Sequence, residues 1–530
     1  MGILEQMKAL SVEGQPQVQI TRKHPGVCLL ALLICMISDG SNCSASQIMV
    51  SPSLEGDISH CVETMGSQVQ LPEDILHQIH ALMPLRDAAQ AACVSRGFLR
   101  SWRCFPNLII SVDSLGINVN TSNDEIKRDF VCRVDHIMQN HSSMGVKRFV
   151  IETYPCSNLQ PSYVDRWLQC AITPGIKEIY LSMLSCGIKY NFPGLLLFSR
   201  EIRSSIQTFV LGDCSFHCAA QVGYMSSLTN LELHSVHITG EELYGFLSNS
   251  CAVEELRLTN CNDIICLKIP CLLQKLDILD VLGCSKLIMI DTNAPNLSTF
   301  FFAGRPIHIS LGEALQVRKI SFRRDYSPNA LYYASTKFPF IAPNLQTLVL
   351  STSDETVNTP KVFGKFIQLK YLEIVVSTST FSQDYDLCSL ISFLDASPAL
   401  ESLIVRIAQP TIRRDSVIED SSGYSRPQCL QEQCHDNLKN VMITGFCSAK
   451  SMIELTICII EKTKALACLT LDTTRGYDRR HVKVDKCLQL NEEALVEAKK
   501  ARVAIQRYIE GRVPPAVNLK VIEPCSKCIW

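Results

Sequence analysis

The chain carries 26 cysteines in 530 residues, and thiols can ligate metals or exchange electrons. A metal site or a dithiol redox site needs such groups close together. Cys525-Ser-Lys-Cys528 is the only C-x-x-C pair, and no second pair stands nearby to complete the four ligands of a tetrahedral zinc site. It also lies at the chain end, where the strand-to-helix setting of a thioredoxin-type pair is missing. Cys434-His435 has no further ligand beside it. The other cysteines are scattered without a dense spacing pattern, which fits free buried thiols in a reducing compartment better than a disulfide framework. There is no G-x-G-x-x-G, no Walker loop, no G-x-S-x-G and no H-E-x-x-H. The expectation is therefore a non-catalytic protein with no cofactor and no metal, whose chemistry is binding.

Composition narrows what is bound. Fifty basic residues stand against 52 acidic ones, for a net charge of −2, so no global attraction to nucleic acid or anionic membrane is expected. The local pairs Arg413-Arg414 and Arg479-Arg480 read as solvated surface. The apolar run Val27–Ile37 is eleven residues, too short for a bilayer, which needs about twenty. It has the length of a signal-peptide core behind a long polar leader, and four glycosylation sequons occur, at Asn42, Asn120, Asn140 and Asn296. Residues 1–66 are read as a disordered or atypical leader. A secreted or membrane-tethered recognition protein without a ligase role is the alternative this segment keeps open.

The stretch Leu71–Trp102 predicts three short helices. Pro72 suits a first helical position, and Glu73 and Asp74 follow in a first turn favourable to negative charge. Leu71, Ile75, Leu76, Ile79 and Leu82 recur at helical spacing. Pro84 ends that helix, Asp87 is expected to cap a second, and Ser95 opens a third with Phe98, Leu99 and Trp102. So few residues bury little by themselves, which points to a partner covering one face.

The residues Leu71-Pro72, Asp74-Ile75-Leu76, Ile79, Leu82 to Asp87, Cys93 to Arg96 and Trp102 resemble an F-box, with departures at His77, His80 and Gly97. The resemblance implies a substrate receptor of an SCF-type (Skp-cullin-F-box) E3 ubiquitin ligase, located in the cytoplasm or nucleus. It implies docking of a Skp-type adaptor, and through it a cullin, by Leu71, Pro72, Ile75, Leu76, Ile79, Leu82 and Val94, some of them buttressing rather than touching.

Beyond it the chain repeats apolar-x-x-apolar-x-apolar. Thirteen copies run from Val146–Ile151 to Leu466–Leu471, mostly 20 to 31 residues apart. This is the leucine-rich-repeat period. One turn cannot bury its own apolar face, so neighbours stack into one solenoid core. Cys214, Cys261 and Cys284 each fall five residues after the fourth repeat position, the slot that takes an inward-turned cysteine or asparagine. FPNLIIS predicts a first strand, Asp124–Asn140 a helix, and Leu243–Leu247 and Leu390–Leu394 convex-side helices. From Cys434 onward, Leu438-Lys439-Asn440-Val441, Gly445-Phe446, Glu454-Leu455 and Leu469 to Asp472 resemble the FBD-type end of plant F-box/leucine-rich-repeat proteins. A final helix follows at Glu492–Glu510, and an edge strand at Val517–Val521.

The expected fold class is α/β: a three-helix F-box at 67–108, an irregular leucine-rich-repeat solenoid at 109–433 with a parallel sheet on its concave side, and an FBD-like region at 434–530. In this register Glu232, His234, Glu255, Arg257, Asp280, Phe301, Arg323, Tyr371, Glu373 and Arg406 point outward from the sheet. Arg257, Phe301, Arg323, Tyr371 and Arg406 are the candidates for binding a target protein, since aromatic and arginine side chains supply much of the energy at protein interfaces. Lys319, Arg323 and Arg324 are compatible with an anionic small ligand without requiring one.

Overall fold

The computed structural model describes residues 72–142, 145–156, 158–184, 190–217, 221–305, 307–312, 316–324, 329–352, 355, 364–377, 385–408, 416–418, 434–474 and 490–528. Leu71, the leader, the stretch 27–37 and both arginine pairs lie outside these residues. The chain divides into two compact units, Met1–Ile188 and Lys189–Trp530.

The first unit opens with helices α1 (Glu73–Ala81), α2 (Leu85–Val94) and α3 (Arg96–Trp102). Pro72 and Pro84 stand immediately before α1 and α2 in extended conformation. Each supplies a fixed φ and needs no amide partner where a helix begins. Pro84 therefore starts α2 rather than merely ending α1, and Asp87 lies in the first turn of α2 instead of capping it. Ser95 caps α3 as expected, its hydroxyl accepting from the Phe98 amide. Then come β1 (Asn107–Ile110), α4 (Val112–Leu115), α5 (Asn123–Asn140), β2 (Arg148–Glu152), α6 (Pro161–Ala171) and β3 (Glu178–Ser182). The three strands pair in parallel. A Ser122/Glu125 capping box starts α5, and Ile126, Phe130, Val134 and Met138 bury one face of it.

In the second unit twelve of the described strands form one parallel sheet. In order they are β4 (Thr208–Gly212), β5 (Asn230–His234), β6 (Glu255–Thr259), β8 (Ile278–Leu282), β10 (Thr299–Gly304), β12 (Lys319–Arg324), β13 (Thr347–Thr352), β14 (Tyr371–Ser377), β15 (Ser402–Ala408), β16 (Asn440–Thr444), β17 (Cys468–Asp472) and β18 (Asn518–Ile522). Neighbours pair with the fourth repeat positions in line, as in Leu231 beside Leu256 beside Leu279. This is the leucine-rich-repeat register expected from the spacing, and β18 is the edge strand. The inward residues are buried and the alternate ones are half-exposed along β5, β6 and β8.

A second, three-stranded parallel sheet was not expected: β7 (Cys266–Ile269), β9 (Met289–Thr292) and β11 (His308–Ser310). Its strands are short, and the apolar-x-x-apolar-x-apolar pattern that Ile264, Leu267 and Ile269 form, with a near copy at Leu287, Ile290 and Thr292, falls between the copies that mark the large sheet. Helices α7 (Arg200–Arg203), α8 (Gly240–Ser248), α9 (Ala330–Ile341), α10 (Ile391–Ala396), α11 (Lys450–Lys462) and α12 (Glu492–Tyr508) complete this unit. The aromatic-rich α9 was missed, and it inserts Tyr333 and Phe338 against Phe322 of β12, with ring centroids 5.3 and 5.1 Å away.

The turns after the strands explain the cysteine slot. Asp213, Ser235, Asn260 and Gly283 all take positive φ, between 53° and 66°, and each donates its amide to a carbonyl of the next strand. That reversal turns the following side chain inward, burying Cys214, Cys261 and Cys284. The Cys261 thiol donates to the Leu233 carbonyl at 3.3 Å. Burial pushes the Cys214 thiol up to about 12, so it remains an inert, neutral packing group. Gly283 is needed in its turn for a second reason: a Cβ there would come within 2.2 Å of Asn260 Oδ1.

Candidate functional site

Two faces carry the candidate binding residues. On the helical module, Leu76 is buried with Ala91 and Phe98, with Met83 packed against them. Leu76 therefore buttresses the helices. Pro72 is exposed at the start of α1, and Ile75 and Ile79 on α1 are exposed large hydrophobics. Leu82 is 86% exposed and Val94 61%. Leu99, which sequence reasoning did not place among the binding residues, is exposed as well. Helical spacing flags Ile75, Ile79 and Leu82, but α3 is only seven residues long, too short for periodicity to separate Leu99 from its buried neighbour Phe98.

His80 is not on this face. It is fully buried, with Nε2 donating to the Ala88 carbonyl at 2.9 Å and Nδ1 accepting from the Ser101 hydroxyl at 2.9 Å. Phe98 and Phe105 lie against its ring at 5.1 and 5.3 Å, and Trp102 stacks on Phe105. Burial lowers its pKa, so the ring is neutral and locks α1 to α2 and α3. Asn107 ties β1 to the same module, its side-chain amide donating to the Ala81 carbonyl at 2.9 Å.

The second face is the outward row of the large sheet. Glu232, Arg257, Asp280 and Phe301 are consecutive register partners on β5, β6, β8 and β10. The Arg257 guanidinium lies 3.1 Å from Glu255 and 3.7 Å from Glu232. Glu232 also stands 3.3 Å from His234, and that hydrogen bond is the main reason its carboxyl is held below the usual range. Burial pushes the Asp280 carboxyl up to about 6, against the opposing pull of Arg257. Lys319 sits over the Phe301 ring at 5.4 Å. Arg323 is exposed and Tyr371 half-exposed.

Arg406 and Glu373 were expected to face out but are buried against each other, with Nε donating to Oε1 at 2.7 Å. Tyr371 donates its hydroxyl to the other Glu373 oxygen at 2.7 Å. Alternation alone predicts an outward direction, but not what closes over it. Arg406 is thus part of a buried pair rather than an accessible arginine. Arg324 has no described side chain.

The remaining reactive groups resolve into structure. His435 donates from Nε2 to the Ser397 carbonyl at 2.8 Å and accepts the Leu438 amide at Nδ1. Cys525 and Cys528 bring their sulfurs to 3.7 Å. Cys458, on α11, is disulfide-bonded, an exception to the expectation of free thiols, while seventeen described cysteines are free. No cluster of three or more His, Cys, Asp or Glu able to hold a metal occurs among the described residues. No helix among them is long and apolar enough to cross a membrane.

Both regions of the chain match known protein families. Residues 69–109 match the F-box domain, and residues 137–526 match the At1g61320/AtMIF1 LRR domain. The Arabidopsis thaliana F-box/LRR-repeat protein At3g58940 is 25% identical over 198 residues, 36% of this chain and 32% of that protein. The F-box/FBD/LRR-repeat protein At3g52680 of the same plant is 23% identical over 244 residues, 44% of this chain and 50% of that one. Putative F-box/FBD/LRR-repeat protein At4g03220, also from Arabidopsis thaliana, is 23% identical over 451 residues, 76% of this chain and 88% of that one. The chain thus spans about a third to a half of the length of the first relatives it matches, and most of the last. With helices, repeat register and both family matches in agreement, the chain belongs to the plant F-box/LRR proteins with an FBD-like C-terminal region.

Proposed function

We propose that this chain is the substrate-recognition subunit of an SCF-type E3 ubiquitin ligase. The observation that carries it is the exposed aliphatic side of α1 and α2. A three-helix module that hides His80 while leaving Leu82 and Val94 in water is a face shaped for a partner. A Skp-type adaptor is that partner, reached through Pro72, Ile75, Ile79, Leu82 and Val94, with Leu71 completing the motif and Leu76 holding the helices beneath. A cullin follows through the adaptor. The sheet of the second unit grips a target protein, with Arg257, Phe301, Arg323 and Tyr371 on its outward row. The chain performs no chemistry itself and accelerates ubiquitination by holding the target near the conjugating enzyme. Its setting is the cytoplasm or nucleus, where such ligases work.

Leu82→Glu combined with Val94→Glu tests this. Two charges placed in an apolar interface are expected to weaken adaptor binding by about 2 kcal/mol or more, roughly thirtyfold. Co-purification with the adaptor is lost while the melting temperature of the free chain stays near the parent value. Undiminished adaptor binding overturns the assignment.

A further inference from the structure

Cys525 and Cys528 belong to neither binding face. Sequence position alone gives this pair no strand-to-helix setting, but the structure supplies one. Strand β18 ends at Ile522, and the chain then turns into a short 3-10 helix over Ser526–Cys528. The Cys528 amide donates to the Cys525 carbonyl at 2.9 Å, which closes one turn. Side chains at i and i+3 of such a turn eclipse one another, so both thiols are thrown to the same side. Their sulfurs are 3.7 Å apart, and about 1.7 Å of further approach makes a disulfide. The turn is also a joint, since the Leu490 amide donates to the Cys528 carbonyl at 3.0 Å just before Asn491 caps α12.

The two thiols differ in access. Cys525 is exposed, whereas Cys528 is 3% exposed. In the repeat core Cys261 and Cys284 are both buried, beyond the reach of a reagent in solution. The Cys525–Cys528 pair offers such a reagent one sulfur and keeps the other behind it. Access selects which thiol is attacked first, and a neighbouring thiol can then resolve the adduct. We propose that Cys525 and Cys528 form a reversible disulfide by exchange with a low-molecular-weight disulfide of the glutathione class. The Cys525 sulfur attacks one sulfur of that disulfide, whose S–S bond breaks, and the first small thiol leaves with the Cys525 proton. The Cys528 sulfur then attacks the Cys525 sulfur of the mixed disulfide, and the second small thiol leaves with the Cys528 proton. Two electrons have passed from the pair to the oxidant, which is reduced to two thiols. The chain is modified in this exchange and does not turn over. In a reducing compartment the pair rests as the dithiol and closes when the oxidised share of the thiol pool rises. The inference is independent of the adaptor and of the target.

The full chain is equilibrated in glutathione buffers of rising oxidised-to-reduced ratio, both native and in guanidinium chloride, and its thiols are then capped with N-ethylmaleimide. Trypsin cuts after Lys520 and Lys527, so the bond is read by mass spectrometry as residues 521–527 joined to residues 528–530, two hydrogens lighter than the sum of the parts. The native chain should reach half-closure at a ratio about tenfold below that of the unfolded chain, because the folded turn already holds the sulfurs together. Return to reduced buffer should reopen the bond. Cys528→Ser should hold a glutathione adduct on Cys525, whereas Cys525→Ser should leave Cys528 without one. Equal midpoints in the native and unfolded chains overturn the proposal, as does a native pair that is capped by N-ethylmaleimide at every ratio. Adducts that form on Cys528 as readily as on Cys525 overturn the division into attacking and resolving thiol. If either serine variant fails to fold, the two titrations of the parent chain still decide.

Discussion

In the helical module the aliphatic Ile75, Ile79, Leu82, Val94 and Leu99 are left in water among polar side chains such as His77, Gln78, Arg86 and Gln90, while the polar pair His80 and Ser101 is inside. On β5, β6 and β8 the arrangement is inverted: Leu231, Leu256 and Leu279 are inside, and Glu232, Arg257 and Asp280 form the face. A buried neutral histidine with both nitrogens satisfied fixes how three short helices meet, which leaves aliphatic side chains such as Leu82 and Val94 free to stay on their surface. A stack of repeats gets its shape from aliphatic layers, which frees its surface to carry a pattern of charges. Loss of a buried polar group should therefore damage the shape of the module, whereas the outward row of the sheet should tolerate polar exchange except where its charges are themselves buried.

That exception predicts the largest effect. Arg406→Ala removes the guanidinium that Glu373 meets at 2.7 Å in a fully buried setting. Breaking such a pair from one side costs about 3–5 kcal/mol, whereas replacing both members by apolar residues is often neutral. Chemical denaturation should show Arg406→Ala strongly destabilised and Arg406→Met with Glu373→Leu close to the parent. Equal losses in the single and double variants would show that the pair is not the unit. Phe98→Ala is the counterpart in the helical module. It removes the ring that packs on Leu76, Ala91 and His80, at a cost of about 3–5 kcal/mol. Hydrogen exchange should rise across 73–102 while β5 to β17 keep their protection. A uniform rise in both units would break the distinction between them.

Asp280→Asn comes next and has a pH signature. Burial and Glu232 push the Asp280 carboxyl up, Arg257 and His234 pull it down, and the balance is a value of about 6 against an ordinary 3.8. On the side of β10, its neighbour is Phe301, which has no titratable group. A folded-state value above the unfolded one means that this residue's contribution is most favourable below about pH 4 and is lost as pH rises through about 6. Two units correspond to about 3 kcal/mol. The asparagine variant should therefore be more stable than the parent at pH 8 by up to about that amount, with the gap closing near pH 4. A gap that is constant with pH would place the carboxyl in an ordinary solvated setting.

How far these features were legible follows from how local their causes are. Helical spacing and two prolines reveal α1 to α3, because a helix is decided within a few residues. The repeat spacing places the strands of the large sheet, because each strand must present the same inward residues to its neighbour. The β7-β9-β11 sheet escaped although Ile264, Leu267 and Ile269 repeat the spacing and Leu287, Ile290 and Thr292 nearly do, because these short copies alternate with the longer ones of the large sheet and so break the repeat period. Burial of Arg406 and the unpartnered oxygen of Asp280 escaped for a related reason. Alternation states which side a residue takes, while its surroundings depend on residues 21 to 33 positions away, Arg257 and Phe301 for Asp280 and Glu373 for Arg406.

The smallest expected effect compares one kind of interaction in the two settings. Ser95 caps α3, accepting the Phe98 amide, and Thr239 caps α8 within a capping box with Glu242. Replacing either by alanine removes a cap worth about 1 kcal/mol. The bond at Ser95 is long, 3.5 Å, and it serves a helix of seven residues, so the measured cost should fall at the lower end. Its consequence should nevertheless reach further. Because α3 holds Phe98, Ser101 and Trp102 against His80, fraying it loosens the lock on α1 and lowers affinity at a face that Ser95 does not itself form. At Thr239 the loss should stay within α8, whose Leu243, Phe246 and Leu247 remain packed in the repeat core. Ser95→Ala should thus weaken adaptor binding severalfold with little change in melting temperature, and Thr239→Ala should shift the melting temperature slightly with no change in adaptor binding. Identical behaviour of the two would mean that the helical module is no more sensitive to local loosening than the repeats.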